Sequence, residues 1–275
     1  MTSTRERQRA AARARLEREM AQRAAAARKR RQLQAAIGGG VALLLVVAGT
    51  VWLVASLGDD EQTANQAGTT TCTWTEVPSD QRTETTKDVG LPPTTVKNTG
   101  SQIMTIDTNL GQITAKLNLR DVPCTAASFT HLAEQKFFDN TKCHRLVTQG
   151  IQVLQCGDPS VKADGDWKES DGTGGPAYRF AEENLPTDKR PPYPAGIIAM
   201  ANSGPGTNGS QFFIVYGDSQ LPASYTVLGT VTKGLDLVAE VGAAGDDGAF
   251  SQQAGGGHPK KEVIIKSLTM SEPVG

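Results

Sequence analysis

From residue 101 onward the sequence predicts a mainly β domain: a closed antiparallel barrel of about eight strands with two helices. Three observations predict it. Short runs that alternate apolar and polar residues recur along the chain, each bounded by Gly, Asn, Asp or Pro. Helical spacing of apolar residues occurs in only two segments, 125–135 and 233–241. Strands and helices do not alternate regularly, which disfavours a doubly wound parallel sheet and favours antiparallel closure.

The first hundred residues have a different texture. Residues 1–34 hold eleven Arg and Lys against three acids, a net of +8, while the remainder carries −9, so the overall −1 hides two opposed ends. Residues 5–34 contain no Gly or Pro and no sustained apolar stripe, which predicts a solvated basic helix suited to anionic lipid headgroups. No aromatic residue or base-reading motif accompanies these charges, so nucleic acid is not the expected partner. Residues 35–57 are uncharged and long enough to cross a ~30 Å hydrocarbon core as a transmembrane helix. Arg28, Lys29, Arg30 and Arg31 precede this run and Asp59, Asp60 and Glu61 follow it. The positive-inside rule then expects a single-pass membrane protein with residues 1–34 cytoplasmic and residues 58–275 extracytoplasmic. The long basic lead argues against a cleaved signal peptide. Residues 58–100, rich in Thr, Gln, Asp and Pro, read as a flexible tether, interrupted by Cys72 and Trp74.

Four cysteines (Cys72, Cys124, Cys143, Cys156) lie beyond that apolar run and form no C-x-x-C pair. Disulfides in an oxidising compartment are expected, with all three pairings open.

In the domain itself, residues 102–108 and 112–119 form a hairpin around Asn109-Leu110-Gly111. The helix at 125–135 starts after Pro123 and aligns Ala126, Phe129, Leu132 and Ala133. Residues 143–148 and 151–156 pair around Gln149-Gly150. A Gly- and Asp-rich loop at 157–176 follows, then strands near 177–180, 196–201, 211–216 and 226–231. The second helix, a glycine-rich loop at 242–259 and a closing strand at 262–270 complete the domain.

Residues 196–216 read as strand, rigid loop, strand. Alternation places Gln211 and Phe213 on one face and Phe212 on the other, so an amide and an aromatic ring face outward beside the loop. The same rule sends Arg145 one way and His144 the other, and puts Val153 with Gln155. No metal-ligand pattern, activated nucleophile or phosphate loop is found, and His131, His144 and His258 read as structural. The remaining candidate is a face with one guanidinium, two amides and an apolar floor.

The wording of these segments resembles the cyclophilin family of peptidyl-prolyl cis–trans isomerases, over about residues 101–270. C-H-R-L-V at 143–147 and V-L-Q-C-G-D at 153–158 are similar to the family's F-H-R and Q-G-G-D segments. F-A-E-E-N at 180–184 is similar to its F-x-D-E-N, and M-A-N-S-G-P-G-T-N-G-S-Q-F-F-I at 200–214 matches almost letter for letter. The cysteine-bearing variants look like the membrane-anchored cyclophilins of actinobacteria. The resemblance implies an eight-stranded antiparallel barrel capped by two helices, with the active groove outside it. It implies isomerisation of X–Pro bonds in proline-containing polypeptides, with no cofactor and no metal. Arg145, Gln155 and Phe213 take the catalytic positions. Val153, Ala201, Asn202, Gln211, Leu221, Tyr225 and Gln152 take the substrate-binding ones. Gln152 and Val153 replace a larger, more apolar wall, and Gln220 a common Trp, which predicts weaker activity and lower affinity for cyclosporin-type ligands. A monomer assisting extracytoplasmic folding is expected, and a non-catalytic proline-peptide binding module on the same fold is the alternative.

Overall fold

The computed structural model describes residues 68–252 and 255–275. The basic segment, the 35–57 apolar run and the start of the tether lie outside the described residues. Among the described residues no helix is long and apolar enough to cross a membrane.

Four short strands open the described chain: β1 (Thr69–Thr71), β2 (Thr75–Glu76), β3 (Thr86–Lys87) and β4 (Thr95–Lys97). The domain follows with β5 (Ser101–Thr108), β6 (Gln112–Asn118), α1 (Pro123–Glu134), β7 (Thr141–Lys142), β8 (Arg145–Val147) and β9 (Gln152–Cys156). After β10 (Gly175–Pro176) and β11 (Tyr178–Arg179) come β12 (Ile197–Met200), β13 (Phe212–Gly217), β14 (Val227–Lys233), α2 (Leu235–Ala244) and β15 (Ile264–Met270). The main sheet has nine strands in the order β7-β15-β5-β6-β14-β12-β13-β9-β8. Every ladder in it is antiparallel.

Two expectations are corrected here. The sheet has nine strands, not eight: a two-residue strand at Thr141–Lys142 precedes the expected run at 143–148, which is itself shortened to Arg145–Val147. The chain turns at Cys143-His144, so β7 pairs with β15 at one edge while β8 pairs with β9 at the other. The barrel is therefore a curled sheet, open at one seam. Its two edge strands are joined by two residues of chain and no ladder closes them.

The sheet has two apolar faces. The inner one packs Leu146, Leu154, Met200, Phe212 and Ile214 with Phe129 and Leu132 of α1 and Val238 and Val241 of α2. The outer one holds a smaller cluster, Val147, Val153, Tyr193, Ala199, Phe213 and Val215. The period-two alternation of β8, β9, β12 and β13 produces this division. Neighbouring residues such as Phe212 and Phe213 are both buried, on opposite sides. Helix α1 begins at Pro123, which lacks the N–H that a first turn leaves unpaired. The Cys124 and Thr125 backbone N–H groups donate to the Glu183 carboxylate at 3.1 and 2.8 Å.

Residues 68–100, expected as a tether, lie against the domain. β1 pairs with β4, β2 with β11 and β3 with β10. Cys72 is bonded to Cys124 at the start of α1. Trp74 sets its ring edge-on to Tyr178 and Phe180, with centroids 5.7 and 5.4 Å away. The arm has few aliphatic residues, so its docking rests on a disulfide and an aromatic cluster rather than on an apolar stripe. The second disulfide, Cys143–Cys156, completes the pairing that the sequence left open.

Candidate active site

On the outer face, β8, β9, β12 and β13 with the 221–225 turn enclose a pocket of about 180 Å³. Val153, Phe213 and Leu221 line it, with Ile151, and Tyr225 stands at its edge. Arg145, Gln155, Ala201 and Asn202 complete the wall. The geometry thus brings together eight of the ten residues expected from sequence.

Gln211 and Gln152 are placed differently. Gln211 lines an adjoining cavity of about 290 Å³, which shares Gln155, Ala201 and Asn202 with the first. Gln152 is exposed and lines neither; its backbone N–H donates to Ser219 Oγ at 2.9 Å. Its place in the expected wall is taken by Ile151, which shares parity with Val153 and Gln155. That parity was available in the sequence. The wall is consequently apolar at the position where an amide was expected.

The polar side of the pocket is a relay of hydrogen bonds. Arg145 Nη1 donates to Gln155 Oε1 at 3.1 Å, and Gln155 Nε2 donates to Gln211 Oε1 at 2.9 Å. Gln211 Nε2 ends the relay on the carbonyls of Gly172 and Gly174, at 2.7 and 2.9 Å. Buried Asp158 fixes those glycines by accepting from both of their N–H groups at 2.8 and 2.9 Å. On its other side Arg145 Nε donates to the Gly255 carbonyl at 3.1 Å. A Cβ at Gly256 would run into the Leu146 carbonyl, so only glycine lets this loop approach β8 so closely. Burial lowers the Arg145 pKa from the usual guanidinium value, opposed by nearby Tyr225. The group stays a cation at any physiological pH.

The floor is held by a residue that sequence reasoning missed. Tyr193 is fully buried and stands edge-on to Phe213 and Tyr225, with centroids at 6.2 and 6.1 Å. Its hydroxyl donates to the Tyr225 carbonyl and accepts from the Tyr225 N–H, both at 2.9 Å. Burial pushes its pKa up to about 12, so it remains a phenol. It lies in a Pro-rich loop with no periodicity to mark it.

The 202–210 loop is rigid by its own bonds. Asn202 Nδ2 donates to the Ser224 carbonyl at 3.0 Å, Ser203 N to Thr207 Oγ1 at 2.8 Å and Gly206 N to the Glu182 carboxylate at 3.0 Å. Asn208 pairs with Phe180 in an isolated bridge. The F-A-E-E-N segment therefore braces both this loop and α1.

His144 is fully buried behind the site beside Asp158 and Gln211, and no well-aligned hydrogen bond reaches either ring nitrogen. Its pKa is pushed down to about 4, first by burial, with Asp158 opposing and Arg145 adding to the shift. Among the described residues no group of three His, Cys, Asp or Glu side chains converges on a metal position. What converges is a guanidinium, an amide and a strand edge around an apolar hole. Such a site can hold a small ring and stabilise developing polarity beside it, without bonding covalently to it.

The family model for cyclophilin type peptidyl-prolyl cis-trans isomerase/CLD matches residues 103–270, and the chain belongs to this family. Among curated relatives, the probable peptidyl-prolyl cis-trans isomerase B of Mycobacterium leprae is 50% identical over 180 residues, 59% of this chain and 55% of that one. Its Mycobacterium tuberculosis counterpart is 43% identical over 203 residues, 67% of this chain and 60% of that one. The chain thus spans little more than half the length of these relatives. Among solved structures, a Cryptosporidium parvum cyclophilin type peptidyl-prolyl cis-trans isomerase aligns with TM-score 0.51 and 28% identity, covering 63% of this chain and 99% of that one. The same protein, solved in the presence of the dipeptide Ala-Pro, aligns with TM-score 0.50 and 27% identity over 62% of this chain and 99% of that one.

Proposed function

We propose that the chain is a peptidyl-prolyl cis–trans isomerase that acts on extracytoplasmic polypeptides. One observation carries this reading: Arg145, held on two sides, stands at the lip of an apolar pocket formed by Phe213, Val153, Leu221 and Ile151.

Rotation about an X–Pro bond must break amide resonance and crosses a barrier of ~20 kcal/mol. In the twisted amide the prolyl nitrogen regains its lone pair and accepts a hydrogen bond that the planar forms cannot. A guanidinium fixed at that position binds the twisted state better than either planar one, which lowers the barrier. The apolar pocket takes the proline ring. The half-buried Ala201-Asn202 segment pairs with the peptide, and Tyr225 closes the pocket edge. Gln155 and Gln211 set the angle of the guanidinium. No proton or electron pair changes owner, so the site requires no nucleophile and no general base.

Two disulfides support an oxidising compartment for the domain. The uncharged run at 35–57 and the basic residues before it support a single-pass anchor with this domain outside. Residues 1–34 then face anionic headgroups on the cytoplasmic side.

A protease-coupled isomerisation assay on an X–Pro peptide tests the chemistry. Arg145→Ala is expected to reduce kcat/KM by about 100-fold, with the far-UV spectrum unchanged. Wild-type kcat/KM in that variant would remove Arg145 from the mechanism. An inactive wild-type chain that still binds proline peptides would identify a binding module instead.

A further inference from the structure

We infer that the Cys143–Cys156 disulfide is a positioning element of the site, and that full isomerase activity belongs to the oxidised chain. This rests on the isomerase reading above.

The argument starts from the seam in the sheet. β8 is an edge strand of three residues. Its ladder with β9 has three pairs, Val147 with Val153, Leu146 with Leu154 and Arg145 with Gln155. On its other side β8 makes, among the described residues, one isolated bridge, Leu146 with Gly257. Arg145 and Gln155 are therefore the last pair of a short ladder, directly beside the seam. The end of such a ladder opens more readily than its middle. Yet these are the two residues whose side chains must keep a fixed angle.

The disulfide lies immediately beyond that pair. Cys143 is two residues before Arg145, and Cys156 directly follows Gln155. Their bond closes the open end of the β8–β9 hairpin across 13 residues of sequence separation. It also spans the seam itself. Cys143 donates its backbone N–H to the Val263 carbonyl beside β15, while Cys156 pairs with Phe212 on β13. The two-residue link between the edge strands is thus tied covalently to β9. Both cysteines are buried, at 2% and 1% exposure, so the link is part of the packed interior. Without it, Arg145 starts a three-residue strand whose outer side is bridged, among the described residues, at Leu146–Gly257.

The other disulfide has a different neighbourhood. Cys72–Cys124 joins the 68–100 arm to α1 and lies beside no member of the Arg145–Gln155–Gln211 relay in sequence or in register. It serves as the internal control.

The experiment compares Cys143→Ala/Cys156→Ala with Cys72→Ala/Cys124→Ala in the full chain. The first double variant is expected to lose about 10-fold or more in kcat with KM within about twofold, since misplacement by ~1 Å costs up to 100-fold in rate. The second is expected to keep wild-type kcat. Equal kcat in the wild type and the first variant overturns the inference. Should the first variant not fold, the wild type is treated with a dithiol under native conditions. The reagent supplies two electrons and two protons, the S–S bond becomes two thiols, and the reagent leaves as its own cyclic disulfide. Trapping counts the freed thiols, circular dichroism reports the fold, and NMR follows hydrogen exchange at Arg145 Nε–H. Faster exchange in the folded, reduced chain supports the inference, and unchanged exchange overturns it. That readout does not depend on catalysis. An oxidised wild type without isomerase activity would fail the isomerase reading separately.

Discussion

The two sides of the pocket are built in opposite ways. On the β12–β13 side each strand has a ladder on both flanks, and Phe213 sits in a cluster with Tyr193, Ala199 and Val215 that is nearly as dry as the core. The β8 side is a three-residue edge beside a seam, and its groups are fixed by a relay of side chains, the Gly255 carbonyl and a disulfide. The apolar floor is therefore a product of the fold, whereas the cation is held by a local scaffold added to it. This division suits the proposed chemistry. A floor that binds all states of the substrate alike affects KM. A cation that favours only the twisted state affects kcat.

Arg145→Lys breaks the β8 side most sharply. Lysine keeps the charge but loses the planar fork, so it cannot meet Gln155 and Gly255 while also facing the substrate. Kinetics on an X–Pro peptide are expected to show a loss of about 100-fold in kcat, with KM nearly unchanged. A loss confined to KM would assign Arg145 to binding alone.

The β12–β13 side answers in the other parameter. Phe213→Ala removes a ring that is 5% exposed, together with its edge contacts to Tyr193 and Tyr225. KM is expected to rise by about 10-fold, and thermal unfolding to show a stability loss of about 3 kcal/mol. An unchanged KM would mean that the ring does not hold the substrate.

The same contrast explains what the sequence disclosed. Phe213, Val153 and Gln155 were legible because strand alternation decides which face a residue takes, and the ladders impose that alternation. Ile151 is equally legible by parity, although its neighbour Gln152 is the residue expected in the wall. The seam was not legible. That 141–142 and 145–147 stand in separate strands depends on which strands lie at the two edges, and no local signal records this. Tyr193 was hidden for a similar reason, since it reaches the site from an aperiodic loop. The 68–100 arm reads as a tether because its composition is that of one. Besides its short strand pairings, Cys72 and Trp74 anchor it, and their partners lie 52 and more than 100 positions away. The cysteine pairing, one of three from sequence, follows from the same distant placements.

Gln155→Ala tests the link between the sides, since Gln155 belongs to the relay and also lines the pocket. Removing it leaves Arg145 with the Gly255 carbonyl on its other flank. About 10-fold in kcat is expected to be lost, less than for Arg145→Lys, and Gln155→Glu is expected to restore part of it by offering an acceptor to Nη1. No recovery with glutamate would indicate that the amide contributes through Gln211 instead.

The smallest effect on activity is expected at His144, which lies on the seam but faces away from the pocket. Its folded pKa, about 4, is below the ordinary 6.5. Above 6.5 the ring is neutral in both folded and unfolded chains and adds no pH dependence. As pH falls from 6.5 towards 4, the unfolded chain takes up a proton that the folded chain refuses, so stability declines. Below 4 the folded ring protonates as well and this contribution levels off. His144→Leu removes the refused proton together with two buried nitrogens that no well-aligned hydrogen bond reaches. Wild-type kcat/KM is expected at pH 7.5, with a melting temperature that falls less steeply between pH 6.5 and 4, by roughly 5 °C over that window. Parallel melting curves for the two proteins would move the acid sensitivity to other groups. Lost activity at pH 7.5 would make His144 part of the scaffold that holds Arg145, enlarging the β8 side of the comparison by one residue.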